Sequence, residues 1–197
     1  MFEALRVHIA NYVDLSDEQF RRCSMVFFPR NVRKKDFLLR EGEICRHIAF
    51  VTGGCLRSYS VDTDGGEHVV QFAVSGWWIS DLYSFLTGEP SSTAIDALED
   101  SELLLCEKAP FEGLCSAIPG FERFFRMLLQ NNYIASHRRI ADTLGLSAQE
   151  RYLGFLKTYP EISSRIPQHH IASFLGVTPE ALSRIRRRIS GKKRPNS

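Results

Sequence analysis

The stretch Ile166-Pro-Gln-His-His-Ile-Ala-Ser-Phe-Leu-Gly-Val-Thr-Pro-Glu-Ala-Leu-Ser-Arg-Ile-Arg-Arg-Arg188 reads as two short helices joined by a tight turn. Between Gln168 and Leu175, the apolar residues Ile171, Ala172, Phe174 and Leu175 form a helical stripe. Gly176 stands where the chain must leave that helix in a left-handed conformation. Thr178 suits the cap of the next helix, Pro179 its first position and Glu180 its first turn. Ala181, Leu182, Ile185 and Ile189 give the second helix a side to bury, and Glu180, Ser183, Arg184, Arg187 and Arg188 lie opposite. This is the layout of a helix-turn-helix that places its second helix in the major groove of DNA.

Glu180 and Arg184 are one helical turn apart, so both can enter one groove. Arginine matches guanine O6 and N7 as a two-bond fork, and glutamate accepts from cytosine N4. The other arginines suit phosphates, which set affinity and position but not sequence. Gln168, His169, Thr178, Pro179 and Ser183 complete the candidate DNA-facing set, and His170 is a further candidate for phosphate. The alternative is that Glu180 and Arg184 form only a surface ion pair at i,i+4 spacing.

Charge is distributed to match. Arg165, Arg184, Arg186, Arg187, Arg188, Lys192, Lys193 and Arg194 stand against Glu180 alone between residues 165 and 197, although the chain as a whole carries only +2. A basic C-terminal module therefore follows a net acidic body.

With 197 residues and 44% hydrophobic content, one or two ordinary cores are expected. No apolar run approaches the ~20 residues of a membrane span, and charged residues interrupt the N-terminus early, against a secretory signal. A cytoplasmic protein without membrane contact is expected. Cys23, Cys45, Cys55, Cys106 and Cys115 are scattered and odd in number, which suggests neither a disulfide framework nor a zinc site. They read as small buried hydrophobes, with a redox-sensing thiol as the alternative.

Upstream, the period changes along the chain. Residues 1–25 read as helical, with Leu5, Ile9 and Val13 on one side and Asp14-Leu-Ser-Asp-Glu opening a second short helix. Short apolar runs then alternate with turns: Val26–Pro29, Phe37–Leu39, Ile48–Thr52, Leu56–Val61, His68–Val74, Ala94–Leu98 and Leu103–Cys106. That spacing predicts an antiparallel jelly-roll barrel, with Asp64-Gly65-Gly66 as its clearest hairpin. Short helices are expected at Ser80–Leu86 and Pro110–Ser116.

A long helix follows over residues 121–144. Phe121, Phe125, Leu128, Asn132 and Ala135 take a 4-3-4-3 step, as a coiled-coil seam does. Phe124, Met127, Leu129, Ile134 and Ile140 make other sides apolar, so the helix must bury more than one face. One face would pack on the barrel and the seam on a partner subunit, or the helix is simply a core helix of a monomer. Gly145 is expected to end it, and Ser147-Ala-Gln-Glu150 reads as a capping box for the next helix. The fold class is thus α+β: a β-barrel over residues 1–118, a dimerisation helix over 119–145 and a helix-turn-helix domain over 146–197.

This order of parts resembles the Crp-Fnr family of bacterial transcription regulators, over nearly the whole chain. Glu41-Gly42-Glu43 and Thr52-Gly53-Gly54 look like the family's barrel turns, and Gln168–Arg186 like its recognition motif. The resemblance implies a homodimer that reads an inverted repeat on double-stranded DNA and acts with RNA polymerase. It places Glu180 and Arg184 on bases. Pro179 stands where better-known members carry a basic residue, which implies a different half-site. The family's β wing is not expected after Ile189.

The ligand site departs from the family pattern. Members that bind cyclic nucleotides carry a Gly-Glu pair for the ribose and a later arginine for the phosphate; here the matching positions are Ser80-Asp81 and Ser92-Thr93-Ala94. Serine lacks the charge and the two-bond grip of arginine, so no cyclic AMP binding is expected. Phe72, Trp78, Ser80, Asp81, Ser92 and Thr93 are instead candidates for a pocket taking an unidentified effector. The wider cluster Phe72, Trp77, Trp78, Tyr83 and Phe85 either lines such a pocket or fills the core. The iron–sulfur members use an N-terminal cysteine cluster, where this chain offers only Cys23; haem sensors need an axial ligand, for which His8, His47, His68 and His137 are unsupported singly. No iron–sulfur cluster, haem or other metal is expected. The competing class is a cupin-like barrel, enzymatic or small-molecule-binding. It requires clustered histidines, and the barrel has only His47 and His68.

Overall fold

Eight strands form two four-stranded sheets in the computed structural model, which describes residues 1–160 and 162–191. One sheet has the order β1 (Phe28–Val32), β8 (Ser101–Glu107), β3 (His47–Gly53), β6 (Trp78–Ile79). The other runs β2 (Phe37–Leu39), β7 (Ala94–Ala97), β4 (Cys55–Val61), β5 (Glu67–Val74). The pairings β1–β8, β3–β8, β3–β6, β2–β7 and β4–β7 are antiparallel. The jelly-roll expectation is met, with two corrections. β1 lies beyond Val26–Pro29 in part, because its ladder pairs Phe28 with Leu105 and Val32 with Ser101. β6 has only two residues, opposite Ala49 and Phe50, too short for any alternation to reveal it.

Contacts divide the chain into two compact units. The first comprises residues 1–61 and 70–132, the second residues 62–69 and 133–197. The division falls inside the long helix, whereas the sequence boundaries lie at 118/119 and 145/146. It also assigns the tip of the β4–β5 hairpin to the second unit.

In the first unit, α1 (Phe2–Ala10) buries Leu5 and Ile9, and α2 (Asp17–Ser24) starts at a Ser16–Gln19 capping box. α3 (Leu82–Thr87) and α4 (Lys108–Ala117) are the expected short helices, shifted by one or two residues. Gly54 closes the turn between β3 and β4 at φ +88°, and a Cβ there would clash with the Ser101 hydroxyl and the Asp100 carbonyl. Only glycine satisfies both demands. The core gathers Phe50, Leu56, Ile79, Phe85, Ile95, Leu103 and Leu104 with Phe121 and Phe124 of the long helix.

That last observation corrects the seam. α5 (Pro119–Gly145) turns Phe121 fully into its own subunit's core, and Phe125 and Leu128 pack against the same core. Phe111 lies edge-on to Phe125 with ring centroids 4.7 Å apart. Only Asn132 and Ala135 of the proposed seam remain exposed. The apolar residues left at the surface of α5 are Tyr133, Ile134, Ile140 and Leu144, the last 84% exposed. A strict 4-3 step cannot tell a helix face buried within the subunit from one buried against a partner.

The second unit joins residues 133–145 of α5 to α6 (Ala148–Thr158), α7 (Ile162–Arg165), α8 (Gln168–Leu175) and α9 (Pro179–Gly191). Gly145 is still helical and does not take the expected left-handed cap. Arg151 supplies the capping instead, donating from Nη1 to the carbonyls of Thr143 and Leu146. The Ser147–Glu150 capping box opens α6 as expected. Phe155, Tyr159 and Phe174 stack with centroids 5.0 to 5.9 Å apart, and the Arg139 guanidinium lies 4.5 Å over the Phe174 ring. Ser173 Oγ bonds the hairpin tip twice, accepting from Val69 N–H (2.9 Å) and donating to the Glu67 carbonyl (2.6 Å), and Arg139 Nη2 donates to the Val69 carbonyl.

Candidate nucleic-acid interface

α8 and α9 occupy the residues expected of them, and the turn between them is built as the sequence implies. Gly176 is left-handed at φ 65°, and Val177 N–H returns to the Ala172 carbonyl. Thr178 Oγ accepts from Ala181 N–H at 3.2 Å and so caps α9. Leu182 and Ile185 are buried, packing the inner side of α9 with Ile171, Ala172 and Leu175 of α8. Glu180, Ser183, Arg184, Arg187 and Arg188 are all exposed on the opposite side. No ion pair joins Glu180 to Arg184 among the described residues, so the surface-pair alternative does not form. Both side chains stay available to a groove.

Two candidates at the start of α8 need correction. His170 is buried, 8% exposed, and cannot reach phosphate, whereas His169 beside it is exposed. Gln168 turns inward, its Nε2 donating to the Ser163 carbonyl at 3.2 Å and its buried Oε1 lacking a partner. It ties α7 to α8 rather than facing out. The apolar stripe of α8 alone does not show that Gln168 and His170 are drawn inward. The tail residues Lys192, Lys193 and Arg194, and the region of any wing, lie outside the described residues.

The barrel candidates do not converge on one cavity. Trp78 is enclosed by His8, Phe50 and Phe124, and Phe85 stands against Phe111, so both fill the core; Tyr83 faces outward. Phe72 is fully buried. Ser80 lines a cleft of about 410 Å³ with Leu38, Glu43, Cys45, His47 and Ile95, and donates to the His47 carbonyl. Asp81 caps α3 through Oδ1, which accepts from Ser84 N–H at 3.1 Å. Its Oδ2 accepts from the hydroxyls of Ser91 and Thr93. The two segments aligned with the family's ligand contacts are thus joined to each other by their own carboxylate. Ser92, a pocket candidate, is exposed; the buried Ser91 is the serine that meets Asp81. One residue of register in a Ser-Ser pair carries no sequence signal.

Four cysteines are buried and Cys115 is half-buried. Burial pushes the Cys23 and Cys115 thiols up to about 11 and Cys106 to about 12, which keeps them protonated and slow as nucleophiles. Among the described residues no group of three or more His, Cys, Asp or Glu is placed to hold a metal ion, and no helix is long and apolar enough to cross a membrane.

Residues 29–117 match the family model of the cyclic nucleotide-binding domain. The chain is 26% identical over 173 residues to the fumarate and nitrate reduction regulatory protein of Vibrio cholerae, covering 78% of this chain and 65% of that protein. The chain is similar to regulators of the Crp-Fnr type. The transcriptional regulatory protein btr of Bordetella pertussis is 25% identical over 143 residues, which cover 67% of this chain and 58% of that one. The chain thus spans less than two thirds of the length of these two relatives. Among solved structures, FixK2 from Bradyrhizobium japonicum superposes with a TM-score of 0.75 at 20% identity, over 85% of this chain and 86% of that one. The Thermus thermophilus catabolite activator protein does so at 0.58 and 18%, over 93% and 88%. At these identities the structural matches speak for the fold.

Proposed function

We propose that this chain is a member of the Crp-Fnr family, a sequence-specific DNA-binding transcription regulator that acts as a homodimer and not as an enzyme. The observation that carries this reading is the exposed face of α9. A glutamate, a serine and three arginines stand free on a helix whose other side is buried against a capped and turned partner helix. In this reading Glu180 and Arg184 contact base edges, and Arg187, Arg188 and His169 contact phosphates. Two such helices related by a two-fold axis read an inverted repeat with half-sites about 34 Å apart. Tyr133, Ile134, Ile140 and Leu144 of α5 supply the apolar surface for that axis. RNA polymerase is the partner through which a bound dimer acts. No cyclic nucleotide is assigned, because the carboxylate of Asp81 already engages the hydroxyls beside the position of the family's arginine.

The test is fluorescence anisotropy with an operator duplex. Arg184→Ala is expected to weaken operator binding by about 1–3 kcal/mol and to relax discrimination at one base. Arg188→Ala is expected to weaken all duplexes alike and to flatten the salt dependence by about one unit. Equal effects of both variants on every duplex would remove the reading role.

A further inference from the structure

The outer edge of the barrel carries a feature that DNA reading does not use. β1, the turn after it and β2 enclose a cleft of about 300 Å³ lined by Arg30, Asn31, Lys35, Asp36, Phe37 and Arg40. Three cationic residues and one carboxylate line it. Among the described residues, none of the three takes part in a salt bridge. The Arg40 guanidinium lies 4.0 Å over the Phe37 ring, which holds its planar fork against the wall of the cleft. Like charges gathered in a concave surface focus a positive potential that an anion relieves.

The backbone adds an independent observation. Lys35 has φ 74° and is the one non-glycine residue with positive φ among the described residues; Gly42, Gly54, Gly65, Gly76, Gly88 and Gly176 take the other such positions. The turn is fixed in that shape. Lys35 N–H donates to the Ala97 carbonyl at 2.7 Å, Ala97 N–H to the Asp36 carbonyl at 3.0 Å, and Lys34 N–H to Asp100 Oδ1 at 2.8 Å. Glycine would adopt this conformation without strain, and lysine does not. A lysine at positive φ in a hydrogen-bonded turn, lining a cleft with two other cations, points to a role for its side chain.

We propose that this cleft binds the di- or triphosphate group of a small molecule, gripped by Arg30, Lys35 and Arg40. Arginine forks meet phosphate oxygens in pairs and lysine adds a point charge. The volume lies at the lower end of small-ligand pockets, which run from roughly 300 to 1,000 Å³. It suits a short phosphate chain better than a whole cofactor.

The probes are inorganic triphosphate and adenosine triphosphate, titrated into the full chain by calorimetry near physiological ionic strength without divalent metal. Saturable binding at one per chain is expected, weakened at least tenfold in Lys35→Gly and in Arg30→Gln and unchanged in Arg184→Ala. Lys35→Gly removes the charge while relieving the strain, so its melting temperature should equal or exceed the parent's, and loss of binding in it is not loss of fold. Equal affinity for the two probes assigns the site to the phosphate chain alone; tighter nucleotide binding assigns the source to a nucleotide. No saturable binding overturns the proposal. So does binding that survives both cleft variants or disappears with Arg184→Ala.

Discussion

Replacing Asp81 by alanine should loosen the segment that joins β6 to β7, and the size of the effect follows from its three contacts. Its Oδ1 caps α3 at Ser84 N–H, and loss of such a cap costs about 1 kcal/mol. Its Oδ2 accepts from Ser91 and Thr93 hydroxyls, each a charge-assisted bond of about 1.5–3 kcal/mol when buried. Two factors reduce that figure. Asp81 is half-exposed, and the Ser91 hydroxyl can turn fully to the Thr93 carbonyl, already 2.8 Å away, so no buried donor is orphaned. The net expectation for Asp81→Ala is about 2–3 kcal/mol. For a chain of this size that lowers the melting temperature by roughly 5–10 °C. Asp81→Asn keeps a good cap and one polar contact, so it should cost about 1 kcal/mol less than alanine. Urea unfolding followed by circular dichroism measures both. If asparagine costs as much as alanine, or alanine costs under about 0.5 kcal/mol, then Asp81 does not hold this segment.

Three further outcomes are expected. Trp78 Nε1–H donates to His8 Nε2 at 3.1 Å, and burial holds the His8 pKa below 6.5, among the rings of Tyr12, Phe50, Trp78 and Phe124. The folded chain therefore resists a proton that the unfolded chain accepts, so stability should fall as pH drops from 6.5 toward the lowered value; His8→Phe should flatten that slope in pH-dependent urea titrations, and an unchanged slope would clear His8. Ile140→Glu together with Leu144→Glu should shift a dimer toward monomer by sedimentation while the melting temperature moves little, since both side chains are already exposed; a dimer that survives lies elsewhere. Ile171→Ala, at a fully buried position in the helix-turn-helix core, should cost about 2–5 kcal/mol and abolish DNA binding by unfolding rather than by lost contacts; a cost below about 1 kcal/mol would contradict the packing described.

The local parts of this molecule were legible wherever one residue type had one physical use. Gly176 and Thr178 fix the turn and cap of the helix-turn-helix, Ser147 and Glu150 form their capping box, and Asp64-Gly65-Gly66 turns the hairpin with Gly65 at φ 82°. What could not be read depends on neighbours remote in sequence. Phe121 follows a seam-like step yet faces its own barrel, and Trp78 looks like pocket lining yet meets His8, seventy residues upstream. Gln168 bonds the Ser163 carbonyl of α7, a helix of four residues that is too short to be read from periodicity. Ser91 and Ser92 are chemically identical, and only the chain path decides which of them meets Asp81. The strained Lys35 was equally silent, because a lysine in a charged run looks like solvated surface until its φ is known.

The most direct measurement is selection of bound sites from a random DNA pool with the purified protein and no added ligand. Enrichment of an inverted repeat whose half-sites are one helical turn apart, lost with Arg184→Ala at unchanged stability, is the expected result. A folded, dimeric protein that enriches no sequence, with or without tested effectors, would contradict a reading role for α9.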